Sequence, residues 1–256
     1  MIIKALKNNK YSLISLASVV VFLAVWELVS FLIGKPYLLP RFTEVMSEFF
    51  VLLGKKDFYI VTLSTLGRVL LGFVISLVLG VGLGILGGIS KTVRAILAPF
   101  ISFLRTTPTM ALTLVIMVWL RNKYTPILIG LIMVFPIIYR TISDSIINVD
   151  GKLKEMTKLY GISTKNAVKF MYIPEVVPVL FGSLVTAFGM NIKAVVSAEI
   201  LAYTADSIGL RMFIAKQDFF GGTATLFAWV LTAIIISVVF ELLLGLIQKR
   251  ISKKWN

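Results

Sequence analysis

The chain has 256 residues, of which 58% are hydrophobic and only 15% charged, and its mean hydropathy is +0.96. This composition is typical of a protein that buries most of its length in lipid. Cysteine and histidine are both absent, which removes thiol nucleophiles, disulfides, imidazole bases and the usual zinc or haem ligands. The net charge of +14 would suit nucleic-acid binding, but membrane proteins collect basic residues in cytoplasmic loops, so we expect no nucleic-acid partner.

Six apolar runs are long enough to cross a bilayer, whose apolar core is about 30 Å thick and needs about 20 helical residues. The sequence therefore predicts an all-α polytopic membrane protein with about six transmembrane helices and extensive contact with membrane lipid. The predicted spans are residues 13–33, 66–89, 96–119, 126–143, 176–198 and 226–247.

The first predicted span follows Lys4, Lys7 and Lys10, an arrangement that also occurs in signal peptides. Its apolar run is too long for a signal peptide and lacks a small-residue cleavage site, so we expect a retained anchor helix. In the loop that follows, Thr43 is a candidate N-cap, and apolar residues at helical spacing after it predict a helix along the outer membrane interface. These features divide the chain into an anchor and interfacial segment, residues 1–64, and a core domain, residues 65–256.

The basic residues indicate the orientation of the chain. An even number of spans places both termini on one side of the membrane, and lysines near each end favour the cytoplasm. With this topology, more than half of the 26 lysine and arginine residues are cytoplasmic. The longest cytoplasmic loop then lies between the fourth and fifth spans.

The second predicted span contains two overlapping G-x-x-x-G units, formed by Gly80, Gly84 and Gly88. Small residues at this spacing let another helix approach closely, so we predict a helix–helix contact along this face. The nearby letters G-G-I-S-K-T resemble a phosphate-binding loop. A Walker A motif has glycine directly before the lysine, where Ser90 stands here, so we predict no nucleotide site on this chain.

The loop between the fourth and fifth spans predicts two short helices. Asp150 is a good N-cap for the first, which Gly161 would end in a left-handed conformation. Ser163 or Thr164 would cap the second, which runs to about residue 172, and the prolines at positions 174 and 178 would end it. This basic amphipathic element fits two interpretations, a position on the anionic inner membrane surface or docking onto a soluble partner.

The same loop carries a motif of a known family. Glu155, Gly161, Ile173 and Pro174 resemble, at matching spacing, the E-A-A, three residues, G, nine residues, I-x-L-P signature of permease subunits of ATP-binding-cassette importers. The departures are Met156 and Thr157 in place of two alanines, Met171 for the first isoleucine and Ile173 for leucine. The strings T-L-G-R-V-L-L-G-F, I-L-A-P-F-I-S-F-L-R-T-T-P and V-V-S-A-E-I-L resemble the subgroup that imports sulfonates, taurine, nitrate and thiamine precursors.

This resemblance implies a type I importer permease fold in a bacterial cytoplasmic (inner) membrane, with residues 65–256 as the core permease domain. It implies two cytoplasmic ATP-binding subunits that hold ATP and Mg, an external solute-binding protein, and no cofactor on this chain. It also implies a second permease copy. We expect a homodimer, because a single chain carries the complete motif. The expected cargo is a small solute, with anions and vitamin precursors as the expected classes.

In such importers the loop between the fourth and fifth spans forms coupling helices, here about residues 150–174. A rigid polar element outside the membrane suits a protein that receives force from a soluble motor, and lysines around its rim suit acidic groups on that motor. The resemblance implies that the coupling residues are Glu155, Met156, Lys158, Leu159, Tyr160, Gly161, Ser163, Thr164, Lys165 and Pro174.

Polar side chains within spans are costly and are candidates for the translocation pathway. Around Pro108, the hydroxyls of Thr107 and Thr109 either repair the hydrogen bond that proline cannot make or line the pathway. Arg105 favours the pathway, because a guanidinium in mid-span needs a carboxylate, water or an anionic substrate.

In the fifth span we predict pathway roles for four further residues: Asn191, Lys193, Ser197 and Glu199. Lys193 and Ser197 are four residues apart and so share a helix face. Glu199 fits an outer gate or a structural ion pair, and its separation from Lys193 is wrong for a pair along one helix.

Three other classes of protein compete with this interpretation. An ion-coupled secondary transporter needs an intramembrane ion site and usually repeated halves, and only Glu199 suggests one. A membrane enzyme needs a nucleophile, paired carboxylates or a metal cluster. An energy-coupling-factor scaffold carries Ala-Arg-Gly-like triplets, which this sequence lacks.

Overall fold

A computed structural model describes residues 9–218 and 221–255. Lys4 and Lys7, on which the predicted orientation partly depends, lie outside the described residues, as does the side chain of Lys10. The helices are α1 Asn9–Ile33, α2 Phe42–Leu53, α3 Lys56–Ile89, α4 Lys91–Thr106, α5 Thr109–Trp119, α6 Thr125–Ile147, α7 Gly151–Leu159, α8 Thr164–Ala167, a π-helical turn Val168–Tyr172, α9 Ile173–Ala202, α10 Ile208–Gln217 and α11 Gly222–Trp255.

The predicted all-α membrane architecture is confirmed. Five helical segments in the described residues are long and apolar enough to cross a membrane: Leu13–Ile33, Lys56–Ile89, Thr125–Ile147, Thr164–Ala202 and Gly222–Ile251. A sixth crossing requires α4 and α5 together. The predicted number of about six spans therefore holds if this pair is counted as one span.

The third predicted span, residues 96–119, consists of two helices that Pro108 separates. α4 ends at Thr106, α5 begins at Thr109, and the two helices meet at an angle of 104°. Thr107 is extended, with φ −72° and ψ 129°. A residue before proline is pushed out of the helical region by the proline ring, so Pro108 both breaks the helix and turns the chain.

The contacts divide the chain into two compact units. One comprises the described residues up to Tyr59 together with Arg211–Thr232, and the other comprises Ile60–Leu210 together with the described residues from Ala233 onwards. The functional division proposed at residues 64 and 65 stays a prediction, and the contacts group Arg211–Thr232 with the first unit.

In the first unit, aromatic side chains gather around Trp26. Its ring centroid lies 5.8 Å from that of Phe42 and 5.5 Å from that of Phe227. The indole Nε1 donates to the carbonyl of Pro40 at 3.0 Å. A buried indole contributes a large apolar area and needs one acceptor, and this arrangement supplies both.

The helix predicted after Thr43 is present as α2, but Thr43 is not its N-cap, because the helix begins one residue earlier at Phe42. Carboxylates instead accept hydrogen bonds from the free N–H groups at the N-terminus of α2. Glu27 accepts from the Phe42 N–H at 2.8 Å and from the Thr43 hydroxyl at 3.2 Å, and Glu44 accepts from the Arg41 N–H at 3.0 Å. Free N–H groups and the helix dipole both favour negative charge at this end.

In the second unit, α3 packs its glycine face against α6, as the G-x-x-x-G units predict. A Cβ built on Gly80 would lie 2.7 Å from Ile138, and one built on Gly84 would lie 2.9 Å from Ile142. Gly88 is equally close to α6. These distances leave no room for a side chain, so the glycines set the separation of the two helices.

Candidate functional site

The coupling element, residues 151–172, begins with a short helix whose two ends match the prediction. The Asp150 carboxylate accepts from the Lys152 N–H at 2.9 Å. At the other end Gly161 has φ +61°, its N–H donates to the Lys158 carbonyl at 3.3 Å, and the Ile162 N–H donates to the Thr157 carbonyl at 2.9 Å. This pair of bonds is a Schellman stop, which favours glycine at the left-handed position.

The second predicted helix begins at Thr164, and the Ser163 hydroxyl accepts from the Asn166 N–H at 3.4 Å. The prediction that Pro174 and Pro178 end this helix is wrong. The helix continues through the π-helical turn Val168–Tyr172 into α9, so that one helical segment runs from Thr164 to Ala202. Pro174 follows the π-helical turn directly, so the change in helical geometry lies next to the residue that has no N–H to donate.

The bend of the coupling element carries exposed apolar side chains. Leu159 is 84% exposed and Tyr160 77% exposed, although both lie outside the segments that qualify as spans. No residue of α7 is buried within the described chain. Lys158 and Lys165 are exposed beside this tip. An apolar tip with a basic rim is typical of a surface that another partner covers.

The coupling element is tied to α6 by Lys154. Its Nζ donates to the carbonyls of Ile147 at 2.8 Å and Ile146 at 3.3 Å. These carbonyls lie in the last turn of α6 and lack partners within that helix. A lysine there satisfies them and complements the negative end of the helix dipole, so α7 and α6 are connected by a charged contact.

At the break between α4 and α5, threonine hydroxyls donate to carbonyls of the preceding helical turn. The Thr107 hydroxyl donates to the Phe103 carbonyl at 2.7 Å, and the Thr106 hydroxyl donates to the Ser102 carbonyl at 3.0 Å. The Thr109 hydroxyl lies 3.4 Å from the sulfur of Met133. The Phe103 carbonyl already accepts from the Thr107 N–H at 3.1 Å, so both the repair role and the pathway role of Thr107 and Thr109 stay predictions.

A cavity of about 550 Å³ lies between α4 and the last turns of α6. Arg105 lines it, together with Arg94 from α4 and Arg140 from α6. Among the described residues that line the cavity, Asp144 alone is acidic, and its carboxylate accepts from the Arg140 Nε at 3.2 Å. Of the predicted pathway residues, only Arg105 is part of this lining.

Glu199 lies in a buried ion pair with Arg68. The carboxylate is 0% exposed and the guanidinium 11%, and they are 2.9 Å apart. Glu199 also accepts from the Thr65 hydroxyl at 3.1 Å and from the Gly209 N–H at 3.2 Å. The Thr65 hydroxyl in turn accepts from the Ile208 N–H at 3.0 Å. The carboxylate therefore joins α3, the end of α9 and the start of α10.

The other predicted pathway residues of α9 do not lie together. Asn191 is buried against α3 and α6, its amide donates to the Val69 carbonyl at 2.8 Å, and it lies against Gly130. Lys193 is exposed and Ser197 is half-buried, so these two share a face on the other side of the helix. Their pathway roles stay predictions.

Sequence patterns did not predict a site role for four residues: Arg68, Arg94, Arg140 and Lys154. One signal was present for Arg68: a buried carboxylate such as Glu199 needs a cation, and Arg68 is the basic residue within the apolar part of α3. The others depend on contacts between distant segments, which spacing alone does not reveal. Within residues 9–218 and 221–255, no cluster of acidic, histidine or cysteine side chains is arranged to hold a metal ion.

Residues 76–253 match the family described as the binding-protein-dependent transport system inner membrane component. The taurine transport system permease protein TauC of Escherichia coli is 25% identical over 246 residues, which cover 93% of this chain and 88% of the relative. The putative aliphatic sulfonates transport permease protein SsuC of Bacillus subtilis is 23% identical over 92% of this chain and 85% of the relative. The nitrate import permease protein NrtB of Synechococcus elongatus is 26% identical over 90% and 84%.

A structure of the MetNI methionine ABC transporter in an inward-facing conformation shares the fold. The similarity has a TM-score of 0.56 at 17% sequence identity, and it covers 75% of this chain and 93% of that chain. This likeness confirms the predicted permease fold.

The fold and the family match define a class, the multi-pass inner-membrane permeases of ATP-binding-cassette importers. This chain belongs to the family of binding-protein-dependent transport system inner membrane components. It is therefore a transport subunit, and ATP hydrolysis lies in partner subunits of such importers. The secondary-transporter, enzyme and energy-coupling-factor alternatives are set aside by this membership.

Proposed function

We propose that this chain couples to two cytoplasmic ATPase subunits, which carry ATP and Mg, through the coupling element. One observation supports this proposal most strongly: a helix with fixed ends presents an uncovered apolar tip while Lys154 holds its base against α6. A push on Leu159 or Tyr160 would be transmitted to a membrane helix through a short, charged contact.

The partners and topology follow from the same proposal. A second copy of this chain completes the pathway as a homodimer, and an external solute-binding protein delivers the solute. Both termini, the coupling element and Arg140 lie on the cytoplasmic side, in agreement with the excess of basic residues there. The coupling roles predicted for Glu155, Met156, Gly161, Ser163, Thr164 and Pro174 are part of the same proposal.

The proposed substrate is a small solute with a negatively charged group. Similar proteins are described as permeases for taurine, sulfonates, bicarbonate and nitrate, each of which carries an anionic group. The predicted pathway residue Arg105 suits such a solute, because a guanidinium recognises planar oxyanions by paired hydrogen bonds.

The test is to purify the tagged chain gently from its native membrane, measure the mass of the complex and assay ATP hydrolysis. We expect two permease chains with two soluble ATPase chains. Tyr160→Glu should release the ATPase chains, because it places a charge in the docking surface, whereas Tyr124→Glu, also at an exposed tyrosine, should retain them. A complex without an ATPase chain, still transporting under an ion gradient, would overturn the proposal.

The same experiment separates docking from the alternative position on the membrane surface. If the tip of the coupling element only lies on anionic lipid, Tyr160→Glu should leave the ATPase chains bound and change only the interaction with anionic vesicles. Retention of both ATPase chains in the Tyr160→Glu complex would therefore contradict docking through this tip.

A further inference from the structure

The cavity between α4 and α6 is lined by more positive than negative charge. Arg94, Arg105 and Arg140 contribute three guanidinium groups, and the only acidic side chain among the described lining residues is Asp144. Its pair with Arg140 is largely exposed, at 60% and 52% of the two side chains. Exposed ion pairs contribute little stability, so an incoming anion can compete for Arg140 at small cost.

Most of the guanidinium donors in this cavity remain free. An arginine has five N–H donors. Arg94 uses its Nε on the Gly87 carbonyl at 2.9 Å and an Nη on the Gly88 carbonyl at 3.3 Å, which fixes its position at the end of α3. In the part of the chain that the structure describes, no group accepts a hydrogen bond from the Arg105 guanidinium.

Neutral polar side chains lie beside these arginines. Ser102 and Ser143 line the same cavity. Tyr139 lines it as well, and its buried hydroxyl has no partner among the described residues. This hydroxyl lies against Gly87 of α3 and is closed off from solvent, so it forms part of the cavity wall.

The cavity lies at the end of α6 that leads into the coupling element. Its α6 wall, residues 139–144, is followed directly by the carbonyls of Ile146 and Ile147 that Lys154 contacts. Movement of the coupling element therefore acts on the helix that carries Arg140 and Asp144. A site here would be near the exit of an imported solute.

We propose that this cavity is an oxyanion-binding site, in which Arg105 supplies the free guanidinium and Arg94 and Arg140 complete a positive lining. It takes a sulfonate, carboxylate, nitrate or bicarbonate group, and Ser102 and Ser143 supply neutral hydrogen bonds. The position of this site at the cytoplasmic end of the translocation pathway rests on the importer function proposed above. Anion binding at the cavity does not depend on that function.

The absence of cysteine from the chain provides a direct test. Ala98, which lines the cavity, is replaced by cysteine in the whole importer complex, in nanodiscs of neutral phosphatidylcholine. The modification rate of Ala98→Cys is compared for a negatively and a positively charged thiol reagent. We expect the negative reagent to be favoured by about tenfold or more, because a positive cavity raises the local concentration of anions.

Arg105→Gln should remove most of this preference, Arg105→Lys should retain part of it, and the exposed Arg121→Gln should leave it unchanged. Methanesulfonate, nitrate or bicarbonate at millimolar concentration should slow the modification, and Arg105→Gln should abolish that protection. An equal rate for the two reagents, with no protection by any probe, would overturn the proposal.

The lipid headgroup is a second source of the same oxyanion chemistry. If replacing part of the phosphatidylcholine by phosphatidylglycerol protects Ala98→Cys while the soluble anions do not, the site is an oxyanion site for lipid phosphate. Protection by soluble anions in neutral lipid supports the solute as the source. ATP-driven uptake by the unmodified complex is measured separately, so a failure of the importer function is distinguished from a failure of anion binding.

Discussion

The buried pair of Arg68 and Glu199 makes the sharpest prediction about stability. Glu199→Gln or Arg68→Met leaves one charge without its partner in a site where Glu199 is fully buried. Removing one member of a buried pair costs about 3–5 kcal/mol. At about 2–4 °C per kcal/mol for a chain of this size, the Tm should fall by about 6–20 °C.

The assay is thermal unfolding of the purified complex in one detergent, followed by the retained soluble fraction of the permease. The double variant should lose less than the sum of the single variants, by about 0.5–3 kcal/mol, because the two side chains interact directly. Asp57→Asn is the matched control, since its partner Arg211 and Asp57 are both well exposed. It should cost less than about 1 kcal/mol.

The structural role is refuted if Glu199→Gln shifts the Tm no more than Asp57→Asn does. If the Glu199→Gln complex unfolds normally but loses ATP-driven uptake, Glu199 acts as a gate, which was the other role expected for it.

Three further predictions concern the coupling element and the helix contacts. Gly161→Val should reduce ATP-driven uptake, because it strains the left-handed end of α7 at a local cost of about 1 kcal/mol or more. Gly161→Asn is the control and should be tolerated. Unchanged uptake and ATPase binding in the valine variant would count against a coupling role for Gly161. Lys154→Met should leave the ATPase chains bound but lower the number of solutes moved per ATP hydrolysed, because α7 loses its charged contact with α6. An unaltered ratio of solute moved to ATP hydrolysed would show that Lys154 is not part of the coupling. Gly80→Ala should lower the Tm, since a Cβ there would lie 2.7 Å from Ile138. Gly82→Ala is the control and should leave the Tm unchanged, because its Cβ would meet nothing within 4 Å. Equal Tm values for the two variants would exclude close packing of α3 against α6 at Gly80.

Local features of the fold were predictable from the sequence. The Schellman stop at Gly161 and the cap at Asp150 depend on backbone requirements that a few neighbouring residues determine. The contact of Gly80 and Gly84 with α6 was predictable for the same reason, because a row of glycines has few other uses within an apolar helix.

The parts that sequence reasoning missed depend on geometry beyond one helix. Pro108 predicted a disturbance, but a proline does not determine the 104° angle between the two helices that it separates. Pro174 was expected to end a helix, yet a π-helical turn precedes it and one helical segment continues from Thr164 to Ala202.

The candidate site was predictable only in part. Arg105 was recognised because a charge in an apolar run needs an explanation, but its neighbours in the cavity come from the beginning of α4 and the end of α6. Asn191 was expected in the pathway and Glu199 in a gate or an ion pair, but their burial and their partners appear only once α3, α6 and α9 are packed together.

The central claim is that the coupling element docks on an ATPase, and one crosslinking measurement tests it most directly. A photoreactive residue is placed at Leu159, the most exposed large hydrophobic residue of α7, or at Tyr124 as a control, in cells that contain the whole importer. We expect Leu159 to crosslink to a soluble chain that hydrolyses ATP, and we expect no such crosslink from Tyr124. Crosslinks from Leu159 to lipid alone, in a complex that still imports its solute, would contradict it.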